Sequence, residues 1–294
     1  MTPKRKQPPA SGARSASARR AAEARARIAQ AQRRRRLTIV LSSVAAVIVV
    51  VAVLVVVKVT SGSDGPKSGV KASTASGSVS QLVTSVPASV LDTVGSGASA
   101  VKFSTPSGAA LTSGSLPEVL YIGAEWCPYC AATRWSIAVA LSRFGTLTGL
   151  GQVRSSPSDV DPNTATLTFH GATYRSTYLS FVGKEIQSNQ AVNGKYASLD
   201  TLTAAQTTLF EAAGGGFPYL NIGGKYVLQA AAFDPGVLAG KTQEQIAQAL
   251  SQPSSAIAKA VDGGANAITA AICKVTDNRP ASVCASSGVT SAST

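Results

Sequence analysis

The sequence predicts an α/β domain, because strand-like and helix-like segments alternate through its middle and C-terminal parts. A short apolar run is followed by a long helical stretch, then by further strands, a hairpin and two helices. Roughly 200 residues lie between the two irregular ends, which is ample for one buried core. The apolar run Leu37 to Val57 also predicts one transmembrane helix before the domain.

The positive charge of the chain is concentrated at its N terminus. Of the net charge of +13, residues 1–36 carry +11, from 12 Lys or Arg against the single acid Glu23. Since the rest of the chain carries only +2, no nucleic-acid-binding surface is expected. The Ala, Arg, Ser and Pro composition of this tail predicts disorder, and anionic lipid headgroups are its expected partner.

The uncharged run at residues 37–57 would form a helix about 30 Å long, which is the thickness of a bilayer core. A buried core helix would show a polar stripe, and a signal peptide would have a shorter apolar segment and a small-residue cleavage site. We therefore predict a retained anchor over residues 37–59. The preceding arginines place the N terminus in the cytoplasm and the domain outside it, in a single-pass protein of the plasma membrane.

Composition predicts the boundaries of the extracytoplasmic domain. Residues 60–80 are rich in Ser, Gly, Thr and Lys without hydrophobic periodicity, which is typical of a flexible linker. Residues 286–294 resemble a disordered end. The domain is accordingly assigned to residues 81–285.

The first half of the domain shows three strand signals and one helix signal. Glu118 to Gly123 is a short apolar run typical of a strand. Pro128 to Phe144 predicts a buried helix, because proline occupies its first turn and its residues are apolar almost all round. Leu150 to Arg154 and Ala165 to His170 predict further strands, whereas Ala172 to Phe181 fits a helix or a strand equally.

The second half predicts helices around one hairpin. Leu199 to Ala213 is expected to be a helix that ends in glycines. Phe217 to Leu228 contains two strand-like runs around Gly223-Gly224, a dipeptide that accepts the positive φ of a two-residue turn. Two further helices are predicted at Thr242 to Ser251 and Ile257 to Cys273.

Cys127 and Cys130 lie in the stretch GAEWCPYC, directly after the first predicted strand. Cys127 would begin the helix, where unpaired N–H groups and the helix dipole stabilise a thiolate. Cys130, one turn later, would be placed to resolve a mixed disulfide. This pattern favours a redox site.

Zinc binding and a structural disulfide are the alternatives for these two cysteines. Zinc would need further ligands from Cys273, Cys284 or His170, and their spacing is not that of a zinc knuckle. Thiols outside the cytoplasm also tend to oxidise. A structural disulfide across so short a loop is uncommon. We therefore predict no metal site.

The stretch AEWCPYC after an apolar strand resembles the active site of the thioredoxin superfamily. Ala124 to Cys127 matches the thioredoxin lead-in, and Cys127 to Cys130 matches the glutaredoxin motif. Pro218, in GGFPYLNIGGKYV, matches the cis-proline that opens the strand facing the cysteines. The resemblance implies a thioredoxin-like fold in which Trp126, Phe217 and Pro218 position the substrate, Cys127 is the nucleophile and Cys130 is the resolving thiol.

The chain as a whole resembles an uncharacterised family of membrane-anchored, thioredoxin-like bacterial and archaeal proteins, catalogued as a domain of unknown function. The likeness extends over most of residues 80–285 and brings no assigned activity.

Two departures from the superfamily pattern stand out. Tyr121 occupies the place of a buried acid six residues before the first cysteine, and Glu118 is the substitute carboxylate to consider, although a solvated glutamate is expected at a strand edge. In addition, 87 residues separate Cys130 from Pro218, about twice the number in a minimal domain. The resemblance therefore implies an insertion, with Ala172 to Ala213 as a lid or substrate-facing subdomain.

Other chemistry-bearing residues have simpler interpretations. Cys273 and Cys284 are expected to form a structural disulfide in an oxidising compartment, with a second redox pair as the alternative. Glu125 and Arg134 flank the motif and could tune the thiolate, although solvated charges are the default expectation. His170 is expected to be a surface or satisfied residue. Residues expected in the core include Trp135, Phe144 and Tyr219.

These observations predict a membrane-anchored, extracytoplasmic thiol–disulfide oxidoreductase that acts on cysteines of envelope or secreted proteins. No metal or organic cofactor is expected, and electrons would come from a partner such as a membrane redox protein. A reductase for cytochrome maturation is one enzymatic variant. The alternative is a non-catalytic, thioredoxin-like binding or scaffold module of the cell envelope. The motif does not set the redox direction, because oxidases, isomerases and reductases share it.

Overall fold

The computed structural model describes residues 65–75 and 77–293. The predicted basic tail at residues 1–36, the predicted anchor at residues 37–59 and the start of the predicted linker lie outside the described residues. Among the helices of the described part, none is long and apolar enough to cross a bilayer.

The described part of the chain is a mixture of short strands and helices. Its strands are β1 (Ser73–Thr74), β2 (Thr112–Ser113), β3 (Leu116–Gly123), β4 (Thr146–Thr148), β5 (Gly151–Arg154), β6 (Ala165–Thr168), β7 (Thr173–Arg175), β8 (Ser180–Glu185), β9 (Gln187–Val192), β10 (Lys195–Ser198), β11 (Tyr219–Ile222) and β12 (Tyr226–Leu228). Its helices are α1 (Gly77–Thr84), α2 (Ala88–Val94), α3 (Pro128–Ser142), α4 (Ala204–Ala212), α5 (Gln243–Ala249), α6 (Ala256–Val275), α7 (Ala281–Cys284) and α8 (Ser287–Ser291), with a 3₁₀ turn at Pro235–Leu238.

The central sheet is built around β3, which is buried from Val119 to Gly123. One edge of β3 pairs in antiparallel with β11, and β11 pairs with β12. The other edge pairs in parallel with β8, while β2 pairs with the first residues of β3. A parallel neighbour requires a crossover connection, and here the crossover contains α3. The α/β class predicted from the alternating segments is therefore confirmed.

Helix α3 is buried along nearly its whole length. Pro128 occupies its first turn, and its residues are predominantly apolar or small. The helix packs against α6 and β6. Ser136 Oγ donates a 2.8 Å hydrogen bond to the Val261 carbonyl oxygen of α6, and a side chain at Gly264 would collide with that hydroxyl. Small residues in both helices thus permit their close approach.

The predicted hairpin forms at β11 and β12, with a small difference in its turn. Gly223 and Gly224 both have positive φ, at 61° and 73°, as the dipeptide predicts. However, Ile222 pairs with Tyr226, so the turn contains three residues and includes Lys225. A β-carbon on Gly224 would approach the backbone of Ala109 and Leu111, so glycine is also required there by packing.

Residues 65–75 and 77–80 do not form the flexible linker that composition predicts. Ser73 and Thr74 pair with β5 in antiparallel. Val79 and Val83 of α1 are buried, because α1 packs against α3 and α5. Two apolar residues four positions apart lie on one face of a helix and suffice to bury it when the helix is short. An assignment from composition misses this spacing, because the surrounding residues are mostly Ser and Gly.

Residues 286–293 are ordered as well, in contrast to the disordered tail predicted at residues 286–294. Val289 of α8 is buried, and the backbone N–H of Gly288 donates to Asp92 Oδ1 at 2.8 Å. A β-carbon on Gly288 would overlap the Leu91 carbonyl, so the small residues of this segment permit close packing on α2. Composition alone predicts the opposite, because small polar residues are common in disordered ends.

The predicted lid at Ala172 to Ala213 is wrong for the segment Ser180–Glu185. Strand β8 belongs to the central sheet, where it pairs with β3 from Glu118 to Gly123. Strands β9 and β10 form a separate two-stranded hairpin, and β7 pairs with β4 in a second two-stranded sheet. The ambiguous segment at Ala172 to Phe181 contains the short strand β7. Helix α4 begins after Thr203 because a capping box with Gln206 satisfies its first amides.

Candidate functional site

The two cysteines of the CPYC motif lie at the junction of β3 and α3. Cys127 is the N-cap residue of α3, and Cys130 is in its first turn. Both are free thiols. The Cys130 backbone N–H donates to Cys127 Sγ at 3.2 Å, while 3% of Cys127 and none of Cys130 is exposed. The helix start therefore brings both sulfurs into one buried pocket with unequal access to solvent.

Their surroundings give the two thiols different acidities. The pKa of Cys127 is lowered, chiefly by the hydrogen bond with the Cys130 side chain. Burial acts in the opposite direction, and the Cys130 backbone amide and the Arg134 charge lower the pKa further. Burial raises the pKa of Cys130 well above that of an ordinary thiol. The reduced pair therefore favours a thiolate on Cys127 and a neutral thiol on Cys130, which suits the predicted nucleophile and resolving thiol.

Aromatic side chains surround the cysteine motif. Trp126 stacks on Tyr196 with ring centroids 5.2 Å apart, and its Nε1 donates to Gln187 Oε1 at 2.9 Å. Trp126 also meets Phe217 edge-to-face at 6.0 Å, and Phe217 stacks on Phe210 at 5.5 Å. Two of the three residues predicted to position a substrate, Trp126 and Phe217, therefore contact each other and pack against the cysteines.

Strand pairing brings Pro218 close to the cysteine motif. It directly precedes β11, in which Tyr219 pairs with Ile122 of β3. The next residue pair along this antiparallel ladder aligns Pro218 with Gly123, at the end of β3 that leads into the motif. Pro218 is buried, and the Phe217–Pro218 peptide bond is cis.

A buried ion pair lies beneath the cysteines. Arg134 Nε and Nη2 donate to Glu185 Oε1 and Oε2 at 2.7 and 2.8 Å, and Nη2 also donates to the Ala124 carbonyl at 2.6 Å. Neither charged side chain is exposed. Glu125 is only 2% exposed. The expectation of solvated charges at Glu125 and Arg134 is therefore wrong, because the crossover strand β8 supplies a buried partner for the guanidinium group.

Tyr121 fills the position at which the resemblance implies a buried acid. Its side chain is fully buried, and its hydroxyl has no hydrogen-bond partner among the described residues. Its ring packs edge-to-face against Phe169 at 5.2 Å. Glu118, the substitute carboxylate considered from sequence, lies at the other end of β3, about 16 Å from Gly123 by strand geometry. It therefore does not reach the cysteines.

Three residues of this site were not predicted from the sequence: Glu185, Gln187 and Tyr196. The last two belong to the β9–β10 hairpin, for which the dipeptide Asn193-Gly194 is a recognisable turn signal. Both turn residues have positive φ, at 50° and 75°. No comparable signal marks Glu185, since nothing local distinguishes a buried glutamate from a solvated one.

The remaining predicted residues lie apart from the cysteine motif. Cys273 and Cys284 are joined by a disulfide, and Cys273 packs in the main core rather than with Cys127. His170 Nδ1 lies 2.8 Å from Asp200 Oδ1, with 45% of the histidine side chain exposed. Within residues 65–75 and 77–293, no group of three or more His, Cys, Asp or Glu side chains is arranged to hold a metal ion.

Comparison with known proteins gives a family match for one part of the chain. A family model described as a domain of unknown function (DUF929) matches residues 102–208, about a third of the chain. The matched range includes β3, the cysteine motif and β8, and it ends before Phe217. No curated protein and no solved structure matches the chain. Over residues 102–208, the chain is similar to this family of unknown function.

Proposed function

We propose that this chain is a thiol–disulfide oxidoreductase with a thioredoxin-like fold, which acts on cysteines of envelope or secreted proteins. One observation carries the proposal: two free, buried thiols of unequal acidity share the first turn of a helix that follows a central strand. A reactive cysteine pair requires an easily ionised nucleophile and a nearby second thiol. The predicted anchor at residues 37–59 would hold the domain outside the cytoplasm.

The strand order supports the thioredoxin-like part of the proposal. Strand β3 leads into the cysteine motif and α3, and the chain then crosses to β8, which is parallel to β3. Strand β11 follows Pro218 on the opposite edge, antiparallel to β3. This arrangement brings the two matching segments of the resemblance, which are far apart in sequence, to the same end of one sheet.

The chemistry proceeds by two exchanges. In the reducing direction, the Cys127 thiolate attacks one sulfur of a substrate disulfide, a mixed disulfide forms and the other substrate sulfur leaves as a thiolate. The Cys130 thiolate then attacks Cys127 Sγ and expels the second substrate sulfur. Two electrons pass to the substrate, and Cys127 and Cys130 end as a disulfide. The oxidising direction is the reverse of these steps.

The experiment uses the full-length chain with Cys127→Ser and Cys130→Ala variants. We expect the reduced chain to reduce the disulfides of insulin, Cys127→Ser to abolish this activity, and Cys130→Ala to accumulate mixed disulfides. Titration of the Cys127–Cys130 couple against glutathione would then indicate the redox direction. Wild-type protein that neither reduces insulin nor oxidises a reduced test protein would overturn the proposal.

A non-catalytic binding or scaffold module is the second candidate, because the 3% exposure of Cys127 restricts access to its sulfur. Under that function, partners would bind near Trp126 and Phe217 without sulfur exchange. The same variants separate the two functions. A scaffold would retain its partners after Cys127→Ser, whereas an oxidoreductase would lose its covalent complexes.

A further inference from the structure

A cavity of about 450 Å³ lies at the turn end of the β11–β12 hairpin, and Tyr226 of β12 lines it. Tyr226 pairs with Ile222, which pairs with Val119 of β3. At the other end of β11, Tyr219 pairs with Ile122, next to the cysteine motif. The two ends of β11 are about 10 Å apart by strand geometry. The cavity is therefore separate from the site proposed for sulfur exchange.

Two parts of the chain form the opposite walls of this cavity. On one side, residues 101–105 run beside β12, because Ser104 exchanges two backbone hydrogen bonds of 2.9 Å with that strand. On the other side lies the C-terminal half of α6, from which Ala267, Ala270 and Ala271 line the cavity. Residues three and four positions apart share one face of a helix. Because the side chains on this face are small, the space between α6 and the sheet stays open.

The inner surface of the cavity is apolar and partly aromatic. Phe103 meets Tyr226 edge-to-face with ring centroids 5.9 Å apart, and Val101 also lines the cavity. Ala270 and Ala271 are each only 5% exposed, so the helix wall is shielded from solvent. Such a surface stabilises a bound apolar group by removing it from water, and its aromatic rings favour a third ring in edge-to-face or offset contact. The volume lies in the range of small-molecule sites.

The charged side chains that line the cavity are two lysines. Lys102 lies in the wall beside β12, and Lys274 lies in the last turn of α6. No Asp or Glu of the described residues lines the cavity. Within residues 65–75 and 77–293, neither ammonium group forms an ion pair with a carboxylate. A cleft whose charges have one sign attracts ligands of the opposite sign, so the charge of this cavity is complementary to an anion.

We propose that this cavity binds a small aromatic carboxylate. The ring of the ligand packs between the Phe103–Tyr226 pair and the alanines of α6, and its carboxylate lies between Lys102 and Lys274. Since an ionised carboxylate has two acceptor oxygens, it can accept a hydrogen bond from each ammonium group. The apolar wall and the cationic side chains thus select a ligand that has both an aromatic body and a negative charge. Binding at this site is independent of thiol–disulfide exchange.

The test measures binding of three related probes to the full-length chain. The chain, in nanodiscs of zwitterionic lipid, is titrated by isothermal calorimetry with phenylbutyrate, with its uncharged analogue phenylbutyramide and with the aliphatic anion octanoate. Nanodiscs without protein provide the blank for each probe. We expect phenylbutyrate to bind with a dissociation constant below about 1 mM. Phenylbutyramide should bind at least about tenfold more weakly, and octanoate at least about threefold more weakly.

Variants of the lining residues separate the charge of the site from its volume. The double variant Lys102→Met, Lys274→Met keeps two long side chains without their charges. It should weaken binding of phenylbutyrate at least about tenfold and leave binding of phenylbutyramide within about twofold of wild type. Ala267→Leu fills part of the cavity and should weaken both probes at least about tenfold. The matched controls Lys195→Met in β10 and Ala205→Leu in α4 change exposed residues that do not line the cavity, and both should bind as wild type does.

Each contrary result overturns a stated part of the proposal. Wild-type protein that does not bind phenylbutyrate below about 1 mM would overturn the site itself. Undiminished binding in the double lysine variant would overturn the role of the charges, and octanoate that binds as tightly as phenylbutyrate would overturn the aromatic preference. If Ala267→Leu does not fold, the double lysine variant decides alone, because both lysines are exposed and their loss is not expected to affect folding. Reduction of insulin is no part of this test, so the two proposals fail separately.

Discussion

Asp262 shows how a single buried residue can govern the response of this protein to pH. It lies in α6, is fully buried, and neither carboxylate oxygen has a hydrogen-bond partner within the described residues. Burial raises its pKa to about 8. The folded chain therefore holds this carboxyl protonated at neutral pH, whereas the unfolded chain ionises it at about pH 4.

The sign of the effect on stability follows from proton binding. Between about pH 4 and pH 8 the folded state binds more protons at Asp262 than the unfolded state does, so the free energy of unfolding falls as pH rises. We expect wild type to lose roughly 3 kcal/mol from this residue between pH 5 and pH 8. Asp262→Asn should remove most of that loss, as measured by denaturant unfolding at both pH values. Equal pH dependence in both proteins would contradict the buried, neutral carboxyl.

The two cysteines allow a second prediction at the residue scale. The pKa of Cys127 is lowered by its hydrogen bonds with Cys130, while burial raises the pKa of Cys130. In the reduced chain, iodoacetamide should therefore modify Cys127 at least about tenfold faster than Cys130 at pH 7. Mass spectrometry of peptides after timed quenching measures both rates. Equal rates would show that the helix start does not distinguish the thiols.

At the scale of elements, the sequence predicts segments whose signals are local. Strand β3, helix α3 and the β11–β12 hairpin form close to the predicted positions, because an apolar run, a first-turn proline and a glycine pair act over a few residues. The proximity of Pro218 to the cysteines is predicted only through the resemblance. Local patterns contain no information on pairing partners that are about 90 residues apart.

The parts that sequence does not predict depend on tertiary context. Strand β8 has no clear alternation, since its residues are mostly half-buried. Its place in the sheet comes from pairing with β3. Glu185 becomes a site residue only because that pairing puts it beside Arg134, and a buried ion pair looks like two ordinary surface charges in a sequence. The β9–β10 hairpin, by contrast, was predictable from Asn193-Gly194.

The β9–β10 hairpin also packs against the residue that precedes Cys127. Tyr196 stacks on Trp126 and donates to Ser156 Oγ at 2.6 Å. Tyr196→Ala should therefore loosen the cover of Cys127, raise its alkylation rate several-fold and cost about 1 kcal/mol of stability. Tyr196→Phe retains the stacking and loses only the hydroxyl contact, so its alkylation rate should stay within about twofold of wild type. Unchanged access in Tyr196→Ala would exclude a covering role for the hairpin.

At the scale of the whole molecule, residues 65–74 are part of the fold, although composition predicts a linker there. Residues 65–74, which we term the strap, contact the β9–β10 hairpin and β5. The Asn189 side chain donates to the carbonyls of Val70 and Arg154 at 2.6 and 2.9 Å, and the Gly69 N–H donates to the Asn189 carbonyl at 2.8 Å. The strap is thus attached to the hairpin that stacks on Trp126, next to the cysteine motif.

Helix α1, which follows the strap, provides a quantitative test of this boundary. Val83 is fully buried, whereas 63% of Val70 in the strap is exposed. Val83→Ala should lower the free energy of unfolding by about 1–2 kcal/mol, because it removes two buried methyl groups and leaves a cavity. Val70→Ala, the matched exposed change, should cost less than about 0.5 kcal/mol. Similar small effects would indicate that α1 does not belong to the folded core.

The contact between Tyr121 and Gly123 limits which substitutions can be accepted at these two positions during evolution. The hydroxyl of Tyr121 occupies the volume that any β-carbon at position 123 would need. The two positions are therefore expected to covary: a side chain at 123 is tolerated only when a smaller residue replaces Tyr121. In an alignment of related chains, every sequence with an aromatic residue at position 121 should therefore have glycine at position 123.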